Sequence, residues 1–119
     1  MRCTLKGAVL VTFSTAVLCG GAAVWPAETL KGGSPEKGKL LYNKMRCYYC
    51  HRIGSEGGTT GPDLTREGMK NRGLEWQIRN LNDPASTHPT KHPDPLMPKF
   101  DKLTDKMFVD LATYLESLK

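Results

Sequence analysis

The sequence predicts an all-α domain, and three observations carry that prediction. Apolar residues recur at helical spacing, most clearly in the stripe Phe108, Leu111, Ala112, Leu115 and Leu118. Helix-start residues stand where such patterns begin, Ser34 before Pro35 and Thr104 before Asp105. No segment alternates apolar and polar residues as a half-buried strand does, and no internal repeat is present.

Taken in order, residues 1–23 read as a secretory signal. Arg2 and Lys6 give a basic start, Ala8 to Leu18 an apolar run, and Gly20 to Ala23 the small residues that cleavage requires. The rival is an uncleaved membrane anchor, weakened by the glycines and hydroxyl residues within the run. Residues 24–33 follow as a flexible tether, and 34–119 as the domain proper. A first helix is expected from Ser34 to about Met45, with Gly38 and Tyr42 paired four residues apart. Gly38 either punctuates that helix or marks a close crossing by another. A glycine-rich loop then leads to the rigid turn Gly61-Pro62-Asp63-Leu64. Thr65 to Lys70 suits a short helical turn. Leu74, Ile78 and Leu81 line a helix ending at Asp83-Pro84. From Pro84 to Pro98 the prolines at 84, 89, 93, 95 and 98 predict an extended loop or strap. The final helix carries the apolar stripe, with Tyr114 to one side.

The chemistry concentrates in Cys47-Tyr48-Tyr49-Cys50-His51. C-x-x-C-H is the attachment signature of a c-type haem: each thiol adds across a haem vinyl group, and the adjoining histidine becomes the proximal iron ligand. A zinc site would need a second ligand pair, for which only His88 and His92 offer themselves. A redox dithiol would sit in a βαβ pattern, absent here, and would not require His51. Of the four cysteines, Cys3 and Cys19 leave with the signal, so no structural disulfide remains and a covalent haem would staple the small core. The net charge of +5 falls to +3 in the mature chain, with 15 basic residues against 12 acidic. That balance, without a basic-aromatic run, argues for no nucleic acid partner.

Together, Gly38-x-x-x-Tyr42, Cys47 to His51, Gly61-Pro62-Asp63-Leu64, Asp83-Pro84, Met97-Pro98-x-Phe100 and the terminal Tyr114-Leu115 resemble a small monohaem class I cytochrome c over about Ser34 to Leu118. The resemblance implies a cytochrome c fold, three to four helices and loops wrapped around one covalent haem c. It implies that the first and last helices cross near Gly38. It also implies cofactor-binding roles for Cys47, Cys50, His51, Met97 and Pro62, with His51 and Met97 on the metal and the Pro62 carbonyl bonded to the proximal ring. A filled His/Met iron leaves one-electron exchange as its remaining chemistry. The expected function is thus an exported, periplasmic or otherwise extracytoplasmic electron carrier, not an enzyme, serving donor and acceptor redox proteins that include membrane-bound complexes. A haem-bearing subunit of one oxidoreductase, or a ligand-binding sensor or peroxidase, are the alternatives. The segment Ser86 to Pro95 is longer than a minimal member needs, and its His88 and His92 compete with Met97. Met45, Met69 and Met107 read as core or helix-packing residues. Arg46, Arg52, Lys91 and Lys99 are candidates to ring the haem edge and steer an acidic partner, against the plainer reading that they only solubilise.

Overall fold

Ser34 opens the first helix as the caps predict: its hydroxyl accepts from the Lys37 amide, and α1 runs Pro35–Lys44. The computed structural model describes residues 32–87 and 97–119. The stretch read as a signal, most of the stretch read as a tether, and His88, Lys91 and His92 lie outside the described residues. Beyond α1, Arg46 takes a left-handed conformation (φ 58°), ending the helix and turning the chain into a 3-10 turn at Cys47–Tyr49. Next comes a small antiparallel hairpin, β1 Arg52–Ile53 and β2 Glu56–Gly57, registered Arg52 to Gly57 and Ile53 to Glu56. The sequence shows no alternating segment, and this hairpin is too short to need one. Two-residue strands are too short for alternation to register, and they form here because backbone bonds fold the loop onto the attachment segment.

A second 3-10 turn covers Glu67–Lys70, within the stretch expected to coil briefly. Helix α2 is Leu74–Asn82, the span predicted. Asp83 stops it, but Pro84 does not start an extended strap: Pro84–Thr87 makes one further helical turn, α3. Proline suits a first helical position because its missing N–H would have no partner there. The Thr87 hydroxyl has two acceptors within reach for its one proton, Asn80 Oδ1 at 2.6 Å and the Pro84 carbonyl at 3.0 Å, and the shorter contact ties the turn back to α2. Helix α4, Asp105–Ser117, begins on the Thr104 hydroxyl as expected.

The core lies where α4 packs against α1 on one side and α2 on the other. With partners on both sides, α4 buries more than a single stripe: Val109, Asp110 and Tyr114 are buried along with Phe108, Leu111, Ala112 and Leu115. Tyr114 is therefore core rather than flank, edge-on to Tyr42 with ring centroids 5.8 Å apart. Gly38 is where α1 and α4 meet, since a Cβ there would lie 2.1 Å from the Asp110 carbonyl oxygen. The buried Asp110 carboxylate accepts from the Ser34 amide (2.8 Å) and from Lys106 (2.5 Å). Burial opposes its ionisation, yet these two donors outweigh burial and hold its pKa below the usual carboxylate value.

Candidate cofactor site

Between the attachment segment, the second 3-10 turn, α2 and α4 lies a cleft of about 370 Å³. Its apolar walls include Leu64, Leu81, Phe100, Leu111 and Leu115. Cys47, Cys50, His51, Pro62 and Met97 all line this one cleft, so the five residues singled out from sequence are brought together. They come from three separate stretches of chain.

The turn after α1 sets the attachment segment. Amides of Cys50 and His51 both donate to the Cys47 carbonyl, at 3.2 and 3.0 Å, which winds the two thiols and the imidazole onto one coil. Cys47 is partly buried and Cys50 exposed. Burial pushes the Cys47 thiol up to about 11, keeping it protonated. The Tyr42 hydroxyl donates to the His51 carbonyl at 3.1 Å, fastening the segment to α1. Burial first, then Cys47 and Tyr114, push that phenol up to about 12.

His51 Nδ1 stands 2.8 Å from the Pro62 carbonyl oxygen. A carbonyl only accepts, so Nδ1 carries the proton, and in the neutral ring Nε2 keeps its lone pair for a metal. The turn holding Pro62 is itself anchored, because the Gly61 amide donates to the Cys50 carbonyl (2.7 Å) and the Leu64 amide to the Arg52 carbonyl (2.8 Å). Gly61 belongs to the site as well. A Cβ there would sit 2.6 Å from His51 Cε1, so any side chain would displace the imidazole. Its place beside Pro62 was the only sequence signal for this.

Sequence reasoning missed the polar wall of the cleft altogether. Glu67 and Gln77 are 3% and 1% exposed and hydrogen-bonded to each other. Polar residues at buried positions carry no periodic signature. Arg72 lies over the Trp76 ring at 4.2 Å, and both line the cleft.

The remaining candidates separate. Met45 lines the cleft and Met107 is partly buried, but Met69 is 55% exposed and is not the core residue its type suggested. Glu67 and Gly68 take the inner side of that 3-10 turn and leave Met69 outside. Arg46 and Arg52 are exposed, Arg46 beside the exposed Tyr49 ring. Lys99 is paired with Asp83, 3.3 Å from Oδ1, and is less free to meet a partner.

A thiol pair, an imidazole with its outer nitrogen engaged, a thioether and an apolar cleft make a donor set that fits a haem. The arrangement defines a helical domain built around a cofactor cleft. The Cytochrome c family model matches residues 35–119, and the chain belongs to that family. It is a haem-based electron carrier, as members of the family generally are, and it has the family's all-α fold. No curated protein and no solved structure matches the chain.

Proposed function

We propose that the protein is an exported one-electron carrier holding one haem c, attached through Cys47 and Cys50 and ligated by His51 and Met97. The observation that carries this reading is the His51 Nδ1 contact with Pro62, inside the same cleft that Met97 and both thiols line. When bound, the haem supplies an iron that gains and loses one electron. The chain's own residues do the rest. The Pro62 carbonyl fixes the ring tautomer and raises the basicity of Nε2. Tyr42 holds the His51 backbone in place, and Gly61 leaves room for the ring. Leu64, Leu81, Phe100, Leu111 and Leu115 exclude water from the cleft, which disfavours the extra charge of the oxidised state and raises the potential. With both axial positions taken, no substrate site remains.

Export rests on the signal-like residues 1–23, and periplasmic or other extracytoplasmic redox proteins are the proposed donor and acceptor. The exposed Arg46 and Arg52 support an acidic docking partner. Visible spectra of the exported protein in both oxidation states test the reading, with a low-spin six-coordinate haem as the expected result. Haem should also run with the polypeptide under denaturing conditions and be lost to acidified organic solvent from the Cys47→Ser/Cys50→Ser double variant. Stoichiometric zinc without haem would overturn the proposal.

A further inference from the structure

We infer that Glu67 sets the redox poise of the cofactor cleft, a role that rests on the haem reading above. Glu67 is a carboxylate buried to 3% exposure in the cleft wall, in the same cleft as His51 and Met97. Its two oxygens face two cations and an amide. Oε2 accepts from Lys70 at 2.5 Å, and the Arg72 guanidinium stands 3.8 Å from Oε1. The buried Gln77 Nε2 donates to Glu67 Oε1 at 3.1 Å and to Glu116 Oε1 at 3.0 Å, joining the 3-10 turn, α2 and α4 through one amide.

A neutral glutamine at 67 could form the same bridge without the desolvation cost of a buried charge, so bridging alone does not account for a carboxylate here. The two cations do not cancel it evenly. Lys70 and Arg72 side chains are 38% and 34% exposed, against 4% for Glu67. Water screens them more than it screens the carboxylate, so Glu67 keeps a negative contribution of its own in the cleft although Arg46, Lys70 and Arg72 also line it. An oxidised iron has one more positive charge than a reduced one. The buried anion favours the oxidised state and offsets part of the upward pull of the apolar walls and the thioether.

Redox titration of the holoprotein, followed by its spectrum, reads this directly. Glu67→Gln should raise the potential, by a change on the order of tenfold in the redox equilibrium, or ~59 mV for one electron. Glu67→Asp keeps the charge while shortening the bridge, and should stay close to wild type. Lys70→Gln should move the potential the other way and by less, because that cation is partly screened. A Glu67→Gln potential equal to or below wild type would overturn the inference and leave a bridging residue whose loss shows only in the melting temperature. Should Glu67→Gln give no folded holoprotein, the Glu67→Gln/Lys70→Gln pair decides against Lys70→Gln alone: a higher potential in the double variant supports the inference and an equal one overturns it. Absence of any reversible redox wave in the wild type would sink the haem reading as well, whereas a wild-type wave unmoved by Glu67→Gln sinks this one alone.

Discussion

Replacing Gly38 with alanine adds a single methyl group at the point where α1 and α4 touch. That methyl would lie 2.1 Å from the Asp110 carbonyl oxygen and 2.5 Å from Tyr114 Cβ. Ordinary contact starts near 3.4 Å, so the helices must separate by about 1.3 Å. The obstacle is helix backbone and cannot rotate away. Separation also strains the Ser34 amide bond to Asp110 and the Tyr42–Tyr114 ring contact, which both bridge the two helices. Alanine returns about 1 kcal/mol of helix propensity. Overpacking costs about 1–3 kcal/mol, and the loosened contacts add to that. The net loss should be on the order of 2 kcal/mol, or roughly 8–16 °C in Tm for a domain of this size. Thermal and urea melts of the holoprotein measure it, with the exposed Lys39→Ala on the same helix as a control expected within about 0.5 kcal/mol of wild type. A Gly38→Ala protein as stable as wild type would refute the close-crossing argument.

Other outcomes test the site. Tyr42 holds its proton to about pH 12, while an unfolded tyrosine ionises near 10, so stability should fall as pH rises through that window, by on the order of 2 kcal/mol. The Cys47 share of the shift disappears once its sulfur is a thioether, and Tyr42→Phe should flatten this alkaline limb; an equally steep limb in the variant would discount the phenol. Met97→Ala should lower the potential and open the iron to added ligands, with His88→Ala and His92→Ala spectroscopically silent; a native low-spin spectrum and potential in Met97→Ala would point to the histidines. Electron transfer to the partner should slow as salt rises, since exposed charges are screened beyond about 10 Å at 0.1 M. Arg46→Glu and Arg52→Glu should slow it more than Lys99→Glu, because Lys99 already faces Asp83; a rate flat across ionic strength removes electrostatic steering.

Much of this molecule is legible in the sequence because its chemistry is local. Cys47, Cys50 and His51 declare themselves by adjacency, since two thiols and an imidazole must share one coil to grip one planar group. Caps at Ser34 and Thr104 mark helix starts because the bonds they make close within a few residues. What depends on contacts between distant stretches was not legible. The hairpin at Arg52–Gly57 and the turn at Pro84–Thr87 are short elements made by their neighbours rather than by propensity. Tyr114 and Asp110 are core residues only because α4 is packed on two sides. The Glu67–Gln77 pair left no mark at all, for a buried polar residue becomes intelligible only when its partner is seen. Sequence alone pointed to the atoms proposed to hold a haem, because the C-x-x-C-H spacing is written along the chain. Tertiary structure alone decided which charges face the cleft, because burial is a property of three helices meeting and of no one segment.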